Sequence, residues 1–270
     1  METSNLPLSP ELAGRLEMMA EAERANEYLY VALDIGQQML QSGAEVSRVE
    51  DSIKRLCFSF GAERADVLTI TASIVVTVYS HKFGTLTQTR RIPGMKYDLN
   101  RLELLNQLCR LVCSDHFEAA DIRTALDEIM AVPQYSFGVQ VFTYALISAS
   151  FSLFFGGSAL DAAASGLIGI VLKFLDKFIA RMDASPFLSA MLCSCLGGLL
   201  AGLAVHAGLG ESVDMISIGN IMLLIPGIAL TNSLRDMFSG NTISGLMRFI
   251  EAILLALTIA CGFALAAGVF

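Results

Sequence analysis

The sequence predicts an α-helical integral membrane protein with about five transmembrane helices, preceded by a small α+β domain. Charged residues are concentrated before Pro133: residues 1–133 hold 13 of the 18 Lys and Arg and 19 of the 26 Asp and Glu. Long apolar stretches follow Pro133, and runs of about 18 or more such residues can cross the hydrocarbon core as helices. We therefore expect an N-terminal domain over 1–133 and a membrane domain over 134–270.

The first half is predicted to be a small sheet packed on helices. Apolar residues recur at helical spacing in five segments, 10–27, 28–40, 44–60, 98–113 and 118–130. Between them, the segment 66–79 is rich in Val, Thr and Ile, and 85–91 alternates Leu and Thr, which is typical of strands. Gly84 separates these two segments and favours a hairpin turn.

The second half is predicted to contain five crossings, at about 137–155, 159–179, 186–207, 213–234 and 245–270. The second crossing has the shortest uninterrupted apolar core, and it depends on Lys173 and Lys177 extending their charged ends towards the membrane surface.

The distribution of Lys and Arg predicts the orientation. Lys173, Lys177 and Arg181 lie between crossings two and three, and Arg235 and Arg248 lie between crossings four and five, whereas the other two loops contain neither residue type. Because basic loops stay inside, the N-terminal domain is expected in the cytoplasm and the C-terminus outside. Residues 1–30 contain no cationic segment followed by an apolar h-region, so no cleaved signal is expected.

Several function classes are disfavoured. Residues 1–133 carry a net negative charge, whereas a nucleic-acid platform is normally basic. The N-terminal domain contains no phosphate-binding loop, nucleophile elbow or paired metal carboxylates, so no cofactor is expected. Cys109, Cys113 and His116 fall on one helical face and could form part of a zinc site, but a fourth ligand is missing, and ordinary buried thiols are the favoured interpretation.

Polar residues are concentrated around crossings four and five, where they are costly in lipid. Pro226 removes a backbone donor and Gly227 adds flexibility, so we expect the helix to be kinked or opened there. Transporters use such breaks to bind polar solutes, and Asn220 and Asn232 could line a cavity. The alternative is structural, because Pro often only kinks membrane helices and Asn often only joins them.

Charged residues extend this candidate path. Arg235 or Arg248 could face a solute carboxylate, and Glu251, at i+3 from Arg248, could pair with it and respond to protons. The alternative for this pair is an interfacial anchor. Three acidic residues at the outer helix ends, Asp161, Glu211 and Asp214, are expected to be solvated. The full set of candidate path residues is Asn220, Pro226, Gly227, Asn232, Arg235, Asp236, Asn241, Ser244, Arg248 and Glu251.

The segments IPGIALTNSLRD (225–236), SGNTISG (239–245) and RFIEA (248–252) resemble the threonine/serine exporter family, ThrE, and especially its YjjP-like members. In the first half, GAE (43–45), RVEDSIKR (48–55) and DLNRLELLN (98–106) resemble N-terminal signatures of that family. The motif residues concerned are Gly43, Glu45, Arg48 and Glu50. The resemblance covers about 28–270.

The resemblance implies secondary export of a small polar metabolite, threonine or serine or a dicarboxylate such as succinate, across a bacterial inner membrane. It also implies the large subunit of a two-protein exporter, whose partner is a smaller multi-spanning membrane protein; a homo-oligomer stays open. Asn241 stands where Asp is frequent in the family, which bears against proton coupling at that position.

Two other hypotheses stay open. The N-terminal domain could be a ligand sensor or a hydrolase tethered by the helices. Alternatively, the chain could be a scaffold that only assembles its partner, in which case Pro226→Ala would leave transport unchanged.

Overall fold

The computed structural model describes residues 9–115, 117–182 and 184–269. The described chain is mostly helical and forms two compact units. One unit comprises the described part of 1–132 together with Thr231–Arg248, and the other comprises the described parts of 133–230 and 249–270.

The first unit begins with helix α1 (Pro10–Gln41) and α2 (Val46–Ser59), followed by strands β1 (Arg64–Ile70), β2 (Ser73–Ser80) and β3 (Gly84–Arg91), and then by α3 (Leu99–Ser114) and α4 (Ala119–Ala131). The predicted helices 10–27 and 28–40 are one continuous helix, because no residue between them breaks the helical pattern. The Ser9 side chain caps its N-terminus at the Leu12 N–H, and Pro10 occupies the first turn.

A tight corner joins α1 to α2. Gly43 adopts φ +100°, and the Ala44 N–H donates to the Met39 carbonyl oxygen at 3.0 Å, which closes a Schellman motif at the end of α1. A Cβ atom on Gly43 would lie 2.6 Å from the Tyr97 ring. This corner, residues 42–46, therefore requires glycine at position 43 for both conformation and space.

The three strands form an antiparallel sheet in the order β1-β2-β3. The hairpin at Gly84 is confirmed, with Ser80 opposite Gly84. The predicted segment 66–79 is instead two strands, in which Ile70 pairs with Ser73 across a two-residue turn. That turn contains Thr71 and Ala72, neither of which is a strong turn signal in the sequence.

One hydrophobic core holds this unit together. The β2 side chains alternate, and Ile74, Val76 and Val78 face inward against α1 to α4. The apolar face predicted for α2 is largely confirmed, since Val46, Val49, Ile53 and Leu56 are buried, while Phe60 beyond the helix end is half-buried and stacks on Tyr28.

The second half forms helices α5 (Phe137–Phe154), α6 (Ala159–Ala180), α7 (Pro186–His206), α8 (Val213–Leu224), α9 (Gly227–Phe238) and α10 (Thr242–Ala267). Within the described chain, α5, α7 and α10 are each long and apolar enough to cross a membrane, and α8 with α9 is a fourth candidate if the bent pair is one span. The structure thus supports three or four spans rather than the expected five. The helix α6 falls short because Asp161, Lys173, Asp176 and Lys177 interrupt its apolar run.

The fourth predicted crossing is broken where Pro226 stands. Helix α8 ends at Leu224, α9 begins at Gly227, and the two helices are bent by 56°. Because Pro226 has no N–H, the Met222 carbonyl loses its intrahelical donor. The predicted break is therefore present.

The segment Thr231–Arg248 belongs to the first unit and forms a helical hairpin from the end of α9 and the start of α10. Gly240 at φ +91° and the hydrogen bond from the Asn241 N–H to the Asp236 carbonyl end α9 in a second Schellman motif. Gly245 is buried, and a Cβ atom there would lie 2.7 Å from the Ser233 carbonyl oxygen. Glycine at this position allows the two helices to pack closely.

We predict that Gly43→Ala destabilises the protein more than Gly61→Ala. Both glycines have positive φ, +100° and +88°, so both substitutions cost roughly 1–2 kcal/mol in backbone strain. Only Gly43 adds a steric clash, because nothing lies within 4 Å of a Cβ atom at Gly61. Thermal unfolding of the purified chain in detergent should show an excess cost of about 1 kcal/mol or more for Gly43→Ala. Equal losses for the two variants would contradict the proposed role of the corner.

Candidate functional site

The hairpin 231–248 is bound to the α1–α2 corner by side chains from four of the predicted path residues. The Asn232 side-chain amide donates to the Gly43 carbonyl oxygen at 2.8 Å. The Arg248 guanidinium donates to the Ala44 carbonyl oxygen at 3.2 Å. Together with the Asp236 and Arg235 contacts described next, these bonds define the corner joint, which consists of residues 43–46, Asn232, Arg235, Asp236 and Arg248.

A buried ion pair lies at the centre of the corner joint. Asp236 and Arg248 have side-chain exposures of 0% and 3%, and Arg248 Nη1 lies 3.1 Å from Asp236 Oδ2. The other carboxylate oxygen, Asp236 Oδ1, accepts a hydrogen bond from the Val46 N–H at 3.0 Å. Asp236 therefore supplies the N-terminal cap of α2, because the side chain of the N-cap residue Glu45 makes no capping hydrogen bond.

Glu45 serves a different purpose in the corner joint. Its carboxylate pairs closely with Arg235 on α9 and lies 3.9 Å from Arg48 on α2. Glu45 is thus shared between a cation of its own helix and a cation of the hairpin.

Glu50 and Ser244 tie β1 to the same region. Glu50 accepts a hydrogen bond from the Thr69 N–H at 2.8 Å, and the Ser244 hydroxyl donates to the Thr69 carbonyl oxygen at 3.0 Å. Burial raises the pKa of Glu50 above its ordinary value of 4.5, and the Asp236 carboxylate adds to the rise, while the Thr69 hydrogen bond and Lys54 oppose it. The folded state therefore favours protonated Glu50, and this contribution to stability is lost as the pH rises through the raised pKa.

The corner joint brings together residues that the sequence places about 190 positions apart. The N-terminal signature residues Gly43 and Glu45 contact Asn232 and Arg235 directly. Arg248 pairs with Asp236 rather than with Glu251 as expected. Glu251 is exposed on α10 and makes no ion pair with another described residue, so its proposed response to protons stays a prediction.

Asn220 lies in a second polar cluster, in the unit that contains α5, α6 and α8. Its amide accepts from the Ser148 hydroxyl at 3.1 Å and donates to the Ile216 carbonyl oxygen at 2.9 Å and to Ser165 Oγ at 3.4 Å. Asn220, Ser148 and Ser165 are fully buried. Packing is tight here, since a Cβ atom on Gly219 would lie 2.4 Å from Ser165 Oγ.

The membrane half also contains an open cavity of about 360 Å³. Its polar lining includes Tyr144, Asp176 and Ser189, and its apolar lining includes Leu223 and Leu224, the last two residues of α8 before the break. Lys173 does not line the cavity, but its ammonium lies 3.1 Å from Asp176 Oδ2 and 4.6 Å from the centre of the Tyr144 ring. The cavity therefore offers a carboxylate and hydroxyl groups, and an ammonium lies next to that carboxylate.

The expectation that Asp161 is solvated is wrong. Asp161 is buried and accepts hydrogen bonds from the backbone N–H groups of Ser158, Glu211 and Ser212 at 2.9, 2.7 and 2.9 Å. The Asp161 N–H donates in turn to the Ser158 hydroxyl oxygen at 3.2 Å, which completes a capping box at the start of α6. The Ser-x-x-Asp spacing at 158–161 was the signal in the sequence.

The zinc hypothesis gains no support from the described residues, among which no three His, Cys, Asp or Glu side chains are grouped to bind a metal ion. Cys113 is exposed, and burial raises the pKa of the Cys109 thiol to about 12, so the thiolate that zinc requires is disfavoured. The third candidate ligand, His116, lies outside the described residues.

Comparison with known proteins identifies the family. The family described as "Putative threonine/serine exporter" (ThrE) matches residues 30–270. The chain belongs to this exporter family. The resemblance inferred from the separated motifs is thereby confirmed, and the three or four candidate spans agree with a membrane protein.

The relatives within the exporter family are distant. The chain is 22% identical to the "Probable succinate transporter subunit YjjP" of Klebsiella aerogenes, over 92% of this chain and 96% of that protein. It is 23% identical to the protein of the same description from Escherichia coli K12, with the same coverage. It is 21% identical to the "Probable threonine/serine exporter" of Mycobacterium tuberculosis, over 87% of this chain but only 44% of that protein. No solved structure matches the chain.

We predict that Asp236 and Arg248 are strongly coupled in stability. Asp236→Asn keeps an acceptor for the Val46 N–H but removes the carboxylate charge paired with buried Arg248, and Arg248→Met removes the guanidinium paired with buried Asp236. Each single change should cost about 3–5 kcal/mol, whereas the double variant should cost clearly less than the sum. Unfolding of the purified proteins in detergent measures the cycle.

The matched control for this cycle is the exposed pair formed by Arg24 and Glu21, whose ionic atoms are 3.0 Å apart, close to the 3.1 Å of the buried pair. Arg24→Met should cost about 0.5 kcal/mol or less, because exposed pairs contribute little. If Arg248→Met were as mild as Arg24→Met, the corner joint would not depend on its ion pair.

Proposed function

We propose that the chain is the larger subunit of a two-protein exporter that moves a small polar metabolite across a bacterial inner membrane. Membership of the exporter family supports transport rather than enzymatic chemistry. The nearly end-to-end match with two proteins named as transporter subunits supports a partner, which we take to be a smaller multi-spanning membrane protein. We further propose that α6 and the bent α8–α9 pair both span, which gives the five crossings of the membrane domain over 134–270.

The observation that carries the proposal is the cavity beside the end of α8. Charged groups are rare within membrane helices and mark solute pathways there. Asp176 places a carboxylate in the cavity, whose wall also includes Leu223 and Leu224 at the helix break, and the Lys173 ammonium lies 3.1 Å from that carboxylate. A volume of about 360 Å³ lies at the small end of ligand sites, which suits a metabolite of amino-acid size.

The charge pattern favours a zwitterion over a dicarboxylate. An α-amino acid could place its ammonium against Asp176 and its carboxylate near the Tyr144 and Ser189 hydroxyl groups. Succinate carries two carboxylates and no ammonium, so it would face the repulsion of Asp176. We therefore propose threonine, serine or a similar amino acid as the substrate, with succinate as the alternative.

Orientation supports an entry role for this cavity. Ala180, Ala184 and Pro186 at the α6–α7 connection line the cavity, and the basic residues of that connection favour the cytoplasmic side. An exporter collects its substrate from that side. With the N-terminal domain also in the cytoplasm, the cavity would be the site of substrate uptake.

The experiment that tests the proposal measures export in cells that express the chain with its candidate partner. Asp176→Asn should reduce threonine or serine export about tenfold or more, because a charge-assisted hydrogen bond contributes about 1.5–3 kcal/mol. Lys177→Met is the matched control: it removes a charge from the same helix, where Lys177 contacts the Phe137 ring instead of Asp176.

The control should export within about twofold of the parent chain. Wild-type export by Asp176→Asn at equal membrane levels would remove the cavity from the pathway. A larger loss for succinate than for the amino acids would reverse the substrate choice.

We predict that the helix break is required for export. Pro226→Ala restores a donor for the Met222 carbonyl and should favour a continuous helix, so export should fall severalfold. Pro10→Ala is the control, because Pro10 occupies the first turn of α1, where the missing N–H costs nothing, and the residues that line the cavity belong to the membrane half. Full export by Pro226→Ala would instead favour the scaffold hypothesis.

A further inference from the structure

The N-terminal domain contains a groove between α2 and α3 that the transport proposal does not use. Its volume is about 810 Å³, within the range of ligand sites. Three arginines line it, Arg48 and Arg55 from α2 and Arg110 from α3. Two carboxylates, Asp51 and Glu103, accompany them, so cations outnumber carboxylates here, although residues 1–133 as a whole are acidic.

Most of the guanidinium donors in this groove are uncommitted. Each guanidinium has five N–H donors. Arg55 uses Nε for Asp51 at 2.8 Å, and Arg48 lies 3.9 Å from Glu45, beyond hydrogen-bond distance. Among the described residues, Arg110 makes neither an ion pair nor a side-chain hydrogen bond. Guanidinium groups with free donors are suited to binding carboxylate or phosphate in a bidentate manner.

Neutral polar groups complete the lining. Ser52 and Asn106 lie in the groove, as do the Cys109 and Cys113 thiols. Asn106 donates to the Leu102 carbonyl oxygen at 2.8 Å, which leaves its side-chain oxygen to accept a hydrogen bond from a ligand hydroxyl. The groove therefore combines several cationic donors with a neutral acceptor. Such a lining suits a small organic anion, with or without a hydroxyl group.

The groove is connected to the corner joint through α2. Arg48 lines the groove and shares Glu45 with Arg235. An anion that draws Arg48 towards itself leaves Glu45 to Arg235 alone. Anion binding and the Glu45–Arg235 pair therefore strengthen each other, and the coupling must be reciprocal.

We propose that the α2–α3 groove binds a small anionic metabolite through Arg48, Arg55 and Arg110, and that the bound anion strengthens attachment of the hairpin 231–248 to the corner joint. Binding of the anion does not depend on the proposed function. An effect of the bound anion on export does rest on the proposed function, because the hairpin begins within α9, the helix that follows the break.

The binding experiment uses the purified full-length chain in detergent and calorimetric titration with two probes, succinate as the carboxylate and inorganic phosphate. One or both should bind, and Arg110→Ala should weaken binding about tenfold or more. Arg123→Ala is the matched control, since Arg123 is exposed on α4 and does not line the groove. Stronger succinate binding identifies a carboxylate ligand, and stronger phosphate binding identifies a phosphate ester.

Absence of binding by both probes would overturn the proposal, as would binding that Arg110→Ala and Arg123→Ala weaken equally. Neither result would affect the exporter assignment, because the titration does not involve transport. Conversely, cavity variants that lose export should still bind the two probes as the parent chain does.

The coupling is tested with Glu45→Gln. In the parent chain the bound anion should raise the midpoint of thermal unfolding, and Arg235→Met should weaken anion binding about two- to fivefold, the size expected for an exposed pair. In Glu45→Gln the further change Arg235→Met should have no effect on anion binding. If Arg235→Met weakens binding equally in both backgrounds, Glu45 does not connect the groove to the corner joint.

Discussion

The buried pair of Asp236 and Arg248 is the interaction on which the first unit depends. Two charges removed from water are tolerated only when the strong hydrogen-bond donors and acceptors of both groups have well-placed partners. Here the Asp236 carboxylate also caps α2, and the Arg248 guanidinium also binds the Ala44 carbonyl. The pair therefore fixes the hairpin 231–248 to a backbone corner that Gly43 alone can form without strain.

This arrangement changes the meaning of the polar motif around residues 231–248. On the sequence, its Asn, Arg and Asp residues are typical of a solute pathway. In the structure, their side chains bind the backbone of the N-terminal domain and one another. Helix α9 begins at Gly227, next to the break, and the part of it from Thr231 onward carries the Asn232, Arg235 and Asp236 contacts of the corner joint.

Local patterns predicted much of this fold. Most helix ends, the Gly84 hairpin and the break at Pro226 follow from caps, periodicity and proline chemistry, all of which act within a few residues. The turn at Thr71 and Ala72 was not predicted, because its residues carry no local turn signal. The pairing of Arg248 was not predicted for a different reason: the i+3 rule favours Glu251, whereas Asp236 becomes a neighbour of Arg248 only when α9 and α10 fold back on each other. Tertiary geometry therefore overrides the local preference for Glu251 and pairs Arg248 with Asp236.

The structure also separates two kinds of polarity in the membrane half. Around Asn220 the polar atoms satisfy one another, and glycine at position 219 is required because no room remains for a side chain. Such a cluster stabilises helix packing and leaves no space for a solute in this conformation. At Asp176 the carboxylate instead borders open volume, next to the residues at which α8 ends, and the side chain is 42% exposed. A charge beside open volume avoids much of the desolvation cost that it would have in a closed site, so this cavity can hold a charged side chain that the closed Asn220 cluster could not.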